Sequence, residues 1–439
     1  MIAPARLAAF DVLRTVGSGR TDLGSALAMA RTQLGDDRDR ALAGEIATGT
    51  LRWQGAFDHV IEDFSGRPLR KLDPEVLDIL RLSMFQLVHL DRVPASAAVK
   101  DAVDLAGKAG KRSASGLVNA LLRRVSRERG NLPVPPRPED AGDRAAALAY
   151  LSITLSHPRW LVERWLDRYG FEAAEAWARF NNTPAPLTLR VNRLKTSRDE
   201  LVQVLASHGV QAEPSVRAPE CLVVRSGNPI AVSFHEEGLF VVQDEASQLV
   251  GSFAGALPGE RVLDVCASPG GKTTAMAADM GGRGIIVAGD IRGRRLELLA
   301  RTVRRSGAVN VRIVQADATR PLPFGPVFDR VLLDAPCSGL GTVRRDPDIK
   351  WRRHAAELPA LAEAQRTMLD RAAAVLAPGG TLVYATCSSE PEENEGVVDA
   401  FLGANSSFGL AQPPFRTLPH RDDLEAFFAA MLVRTKDLR

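Results

Sequence analysis

RVLDVCASPGGKT (261–273) runs an apolar strand into a glycine turn and on into a helix. Four further apolar runs follow at helix-sized intervals: GIIVAGD (284–290), VRIVQAD (311–317), DRVLLD (329–334) and GTLVYAT (380–386). Short buried strands alternating with helices predict a parallel α/β sheet with right-handed crossovers, whose ligands lie beyond the carboxyl ends of the strands. Glycines in the turn let a ligand approach the backbone, and the free amides of the starting helix suit an anionic group. A Walker A loop needs glycine where Cys266 stands, and G-x-G-x-x-G is missing, so the P-loop ATPase alternative and a dinucleotide enzyme are both disfavoured. Asp290 ends the second strand, Asp317 follows the third and Asp334 ends the fourth. A carboxylate after the second strand can accept from both hydroxyls of a ribose. Carboxylates repel phosphate and tolerate a sulfonium, so this rim points to S-adenosylmethionine rather than NAD or ATP.

The fourth strand continues as Asp334-Ala335-Pro336-Cys337 and the fifth as Ala385-Thr386-Cys387-Ser388. Two of the chain's four cysteines therefore stand just past the ends of core strands, where a ligand is expected. A single buried cysteine is usually inert packing, but two at one pocket mouth point to chemistry. Cys266, inside the tight turn, reads as structural, and Cys221 reads as core. No pair has C-x-x-C spacing, so neither a structural metal nor a disulfide framework is expected.

DVCASPGGKTT (264–274), DAPCSGLGTVRRDPDIKW (334–351) and ATCSSEPEENE (385–395) closely resemble the signature motifs of the RNA cytosine-5 methyltransferases, the NOL1/NOP2/Sun superfamily. The resemblance extends upstream through LSHPRWLVERWLDRYG (155–170), PLTLRVNRLK (186–195) and VVQDEASQLVG (241–251). LRLSMFQLVHLDRVPASAAVKDAVDLA (80–106) and GLVNALLRR (116–124) are similar to the NusB-type helical RNA-binding domain. That combination points within the superfamily to the bacterial enzymes of 16S ribosomal RNA. The resemblance implies a class I, Rossmann-like S-adenosylmethionine-dependent methyltransferase in which Cys387 is the nucleophile, Cys337 serves release and Asp334 holds the base. It implies a cofactor site comprising Cys266, Ala267, Ser268, Pro269, Gly270, Gly271 and Lys272, with Asp290 near the ribose, Asp317 near the adenine and Asp334 bordering cofactor and base. DNA cytosine-5 methyltransferases use the Pro-Cys position as nucleophile, so the second cysteine favours RNA and no DNA partner is expected. Lys272 and Arg344–Arg345 are candidates for positive charge near Cys387, and Glu392-Glu393-Asn394 has no assigned role. In EAFFAAML (425–432), similar to the family's closing strand, Leu424-Glu425 and Ala426 replace the usual Asp-Gly, leaving the local turn open.

The remaining sequence sets the organisation. Residues 5–129 carry apolar positions at helical spacing, and basic residues gather at Arg123, Arg124, Arg127 and Arg129. Such a cluster suits a helix C-terminus or an RNA backbone equally. The proline-rich NLPVPPRPEDAGD (131–143) cannot sustain a helix and reads as a linker. The expected domains are an all-α NusB-like one (1–132), a small α+β segment (133–239) and the α/β catalytic domain (240–439). With 56 Lys+Arg against 53 Asp+Glu the chain is too nearly neutral to announce a nucleic-acid partner, and its mild basic excess lies in the N-terminal third, where residues 1–135 hold 20 against 16. The four scattered cysteines suit a reduced, cytoplasmic chain, no apolar run reaches membrane-spanning length, so no membrane partner is expected, and the expected state is a monomer. The competing function is an antitermination or ribosome-assembly factor with a vestigial methyltransferase domain.

Overall fold

The structure, a computed structural model, describes residues 2–230 and 234–435. It forms two compact units that divide elsewhere than at 132 and 239. One runs to Pro184 and includes Val343–Ala355, and the other comprises Ala185–Thr342 and the chain from Ala356.

The first unit contains helices and, among its described residues, no strand. Helices Pro4–Gly17, Leu23–Gln33, Asp37–Arg52, Gln54–Ser65, Pro74–His89, Ala95–Lys108 and Ser115–Glu128 enclose a core that includes Ile46, Ile61, Ile79, Leu80 and Leu122. The last of these helices buries Val118, Leu121, Leu122 and Val125, a wider stripe than the Leu117-Leu121-Val125 face that the spacing suggests. Residues 131–143 carry no helix, in keeping with their prolines, and Arg137 Nε donates to Glu175 Oε2 at 2.9 Å on the helix Arg159–Asn182, which breaks at Gly170. Val343–Ala355 is held by buried groups. Lys350 is fully buried and donates to the carbonyls of Arg52 (2.9 Å) and Ser156 (2.6 Å), and Trp351 Nε1 donates to Leu51 O at 2.6 Å.

The second unit holds two sheets. Strands β1 (Thr188–Val191), β2 (Gln211–Pro214), β3 (Cys221–Ser226) and β4 (Phe240–Val242) pair antiparallel in the order β2-β3-β1-β4. The larger sheet contains β5 (Arg261–Asp264), β6 (Ile285–Asp290), β7 (Val311–Gln315), β8 (Phe328–Asp334), β9 (Leu376–Thr386), β10 (Phe408–Leu410), β11 (Phe415–Thr417) and β12 (Phe427–Arg434). Its order is β10-β12-β9-β8-β5-β6-β7, with β11 also against β12. The five strands expected from the apolar runs are parallel neighbours, and β12 joins antiparallel to β9. The strand order reverses between β5 and β8, where an open α/β sheet leaves a crevice for ligands. Among the described residues no helix is long and apolar enough to cross a membrane.

Candidate active site

Sheet register brings the two cysteines together. β8 and β9 run parallel with Asp334 opposite Ala385, and Ala335 N continues the ladder to Ala385 O at 2.8 Å. Cys337 and Cys387, three and two residues further on, meet with their Sγ atoms 3.3 Å apart. The hydrogen bond to Cys387 first, and burial second, push the Cys337 thiol well above the ordinary range, so it keeps its proton. The other two cysteines are elsewhere. Cys221 is buried in β3, and Cys266 sits in the glycine turn, where burial and the charges of Asp264, Asp334 and Asp290 raise its thiol strongly.

The same strand ends carry the carboxylate rim. Lys272 Nζ donates to Asp334 Oδ2 at 2.6 Å. Burial works against the Lys272 ammonium, but Asp334 outweighs it and holds the group above the usual lysine range; Cys387 acts in the same sense. Asp290 is buried at the end of β6, and its Oδ1 accepts from Arg292 N at 3.3 Å. Asp317 lies past β7 and turns its Oδ1 to Thr319, whose hydroxyl donates at 2.7 Å and whose amide donates at 2.9 Å, lowering its pKa. Arg344 belongs to the helical unit, where it donates to Pro184 O at 3.0 Å and covers the Phe180 ring.

Asp264 is the residue that sequence reasoning passed over. It closes β5 fully buried, its Oδ2 accepts from Thr273 Oγ1 at 2.7 Å, and its Oδ1 has no hydrogen-bond partner among the described residues. Burial raises its pKa to about 7, with Asp334 and Asp290 adding to the effect and Thr273 and Lys272 opposing it. Its place at a strand end, like that of Asp290 and Asp334, was the available signal. It faces a cavity of about 240 Å³ lined by Cys266, Ser268, Gly271, Lys272 and Asp334 among others. The turn is tight against its support, since a Cβ on Gly270 (φ +104°) would lie 2.9 Å from Leu299 Cδ1. A buried carboxylate oxygen with no donor, beside the free amides of a helix start, fits a zwitterionic amino-acid moiety such as that of S-adenosylmethionine. Glu393 and Asn394, the run with no assigned role, are buried beside the loops that carry the two cysteines.

The chain matches the profile described as 16S rRNA methyltransferase RsmB/F over residues 256–433, the NusB family over 3–127, and the Methyltr_RsmF/B-like ferredoxin-like domain over 157–231. It is 36% identical to ribosomal RNA small subunit methyltransferase B of Pseudomonas putida, with 98% of each chain covered. It is 34% identical to the protein of the same name from Vibrio vulnificus, covering 98% of this chain and 99% of the relative. Among solved structures it is similar to PH0851 at a TM-score of 0.82 and 28% identity, covering 98% of this chain and 99% of that one. A methyltransferase homologue from Pyrococcus horikoshii aligns at a TM-score of 0.58 and 28% identity, over 66% of this chain and 99% of that one.

Proposed function

The chain belongs to the 16S rRNA methyltransferase RsmB/F family, and from that premise we propose that it methylates C5 of one specific cytosine in 16S rRNA through a covalent cysteine adduct. The observation that carries the reading is the contact of Cys337 and Cys387 at 3.3 Å beside the carboxylate rim. S-adenosylmethionine supplies an electrophilic methyl group. C5 of cytosine is a poor nucleophile, so Cys387 adds through sulfur to C6 and turns the ring into an enamine. Asp334, already bonded to Lys272, holds the N3/N4 edge of the base. After methylation, loss of the C5 proton lets the Cys387–C6 bond break, and Cys337 serves that release. A base in structured RNA must first leave its stack.

The cofactor residues of this reading are Cys266 to Lys272, Asp290, Asp317 and Asp334, to which the cavity adds Asp264. Division into an RNA-binding domain (1–132), a middle domain (133–239) and a catalytic domain (240–439) is supported by the order of the three family matches. In the first of these, Lys100, Arg123 and Arg127 line a groove of about 770 Å³, suited to phosphate contacts that weaken as salt rises. Arg124 is committed to the protein itself, stacked over Phe64 and paired with Glu128. The enzyme acts in this reading as a cytoplasmic monomer.

The test is methylation of 16S rRNA from cells lacking the enzyme, using tritiated S-adenosylmethionine, followed by bisulfite sequencing. One protected cytosine that disappears with Cys387→Ala is the expected result; methylation by that variant would overturn the nucleophile assignment. Cys337→Ala should trap the RNA adduct, visible as a slow-migrating gel band that denaturant does not remove.

A further inference from the structure

Glu393 is fully buried and anchors both cysteine loops at once. Its Oε1 accepts from Ser338 N at 2.8 Å, one residue after Cys337, and its Oε2 accepts from Ser388 Oγ at 2.5 Å, one residue after Cys387. The Ser338 and Ser388 hydroxyls lie 3.1 Å apart, closing the link between the loops. Gln365 Nε2 extends the anchor, donating to Glu393 Oε1 at 2.9 Å and to Pro336 O at 3.0 Å on the other side of Cys337. Glu393 is fixed in turn: Tyr384 donates from its hydroxyl to the Glu393 carbonyl at 2.5 Å, and the next residue, Asn394, bonds Thr386 Oγ1 and Ser388 O.

We infer that Glu393 is a positioning residue that sets the two thiols against each other, so that addition at C6 and release occur at one place on the base. The role rests on the proposed cysteine chemistry. The carboxylate is suited to it because it offers only acceptors, and it takes the Ser338 amide, the Gln365 amide and the Ser388 hydroxyl at once. A glutamine in its place can still serve all three, because a serine hydroxyl also accepts, whereas an alanine removes every one of these acceptors. A shift of about 1 Å between reacting groups costs on the order of a hundredfold in rate. No part of Glu393 needs to touch RNA or cofactor for this effect.

The distance between the thiols can be read without turnover by diamide oxidation of the full-length protein. The Cys337 and Cys387 S–H bonds break, an S–S bond forms, and the diamide N=N bond takes up the two protons and two electrons as a hydrazine. Mass-spectrometric peptide mapping identifies the bridged pair. Glu393→Ala should bridge about tenfold more slowly than wild type and lose a similar factor in single-turnover methylation, with KM for the cofactor unchanged. Ser388→Ala, which removes one donor and leaves the buried carboxylate in place, should show the same change at smaller size, and a thermal melt confirms that each variant is folded. Equal bridging rates in wild type and both variants would overturn the positioning role, as would slower bridging with an unchanged methylation rate. Cys387→Ala, assayed alongside, separates the two levels: methylation by that protein would overturn the cysteine mechanism itself, and the positioning role with it.

Discussion

At the residue scale, the cysteine pair was legible, as were Asp334 and Lys272 beside it, and two other acidic groups were not. Cys337 and Cys387 announce themselves because each follows an apolar strand end, and parallel pairing of β8 with β9 then forces proximity. Glu393 and Asp264 stayed hidden for opposite reasons. Glu393 sits in a run to which the sequence assigns no role, and its burial depends on donors 28 and 55 residues away in sequence. Asp264 reads as part of a turn, and only the fold shows that one of its oxygens has no donor among the described residues. That oxygen gives a pH prediction. With a pKa of about 7, the Asp264 carboxyl is neutral below that pH and charged above it, and only the charged form attracts an ammonium group. Affinity for S-adenosylhomocysteine should therefore rise with pH through neutrality, by roughly eightfold from pH 6 to pH 7.5 if the ligand binds only the ionised form. Isothermal titration calorimetry of Asp264→Asn should give a flat profile, while a retained slope would assign the titration to another group.

At the scale of elements, the apolar runs located β5 to β9: the inner strands have to be apolar nearly throughout because both faces are covered, and β7 is the edge strand, with Arg312 and Ile313 exposed. The closing turn was the open question, since no glycine precedes the aromatic pair of β12. The structure makes the turn with Asp423, at φ +52°, which caps the short helix Pro419–Asp422; aspartate tolerates this left-handed conformation better than most residues. The chain then runs against the Pro-Cys loop: Ala426 N donates to Gly341 O at 3.1 Å, and Gly341 N donates to Cys387 O at 3.0 Å. Glycine is required at 341 by space, because a Cβ there would fall 1.9 Å from Ala426 O and 2.8 Å from Cys387 O. Gly341→Ala must push these backbones apart, and overpacking of this kind costs about 1–3 kcal/mol. A lowered urea midpoint and slower adduct formation are expected together; unchanged stability would mean that the loop before β12 can yield.

At the scale of the whole molecule, the organisation seen in the sequence is right in its order of folds and incomplete in where the chain goes. RRDPDIKWRRH (344–354) overlaps the second signature motif, and five arginines or lysines and two aspartates crowd its eleven positions. Yet Lys350 is fully buried, and burial first, with the Arg52 charge second, holds its ammonium well below the usual lysine range. Nothing in local composition signals this, because its acceptors are main-chain carbonyls 298 and 194 residues away. The consequence is that the segment between the Pro-Cys loop and the helix Leu358–Ala374 depends on the N-terminal helices for its own hydrogen bonds. Deleting residues 1–130 removes the carbonyls of Leu51 and Arg52, leaving Trp351 Nε1 without its acceptor and Lys350 with Ser156 alone. With those helices gone, the segment loses both these acceptors and the packing that buried it. Hydrogen exchange should therefore accelerate in peptides spanning 343–355 of the truncated protein, and RNA affinity should fall with the loss of the Lys100–Arg123–Arg127 groove. The cofactor turn, built entirely from the other unit, should keep its affinity for S-adenosylhomocysteine. Unchanged exchange at 343–355 would show that the helix Arg159–Asn182 and its neighbours hold the segment alone, whereas a parallel fall in cofactor affinity would show that its order also reaches the rim at Asp334.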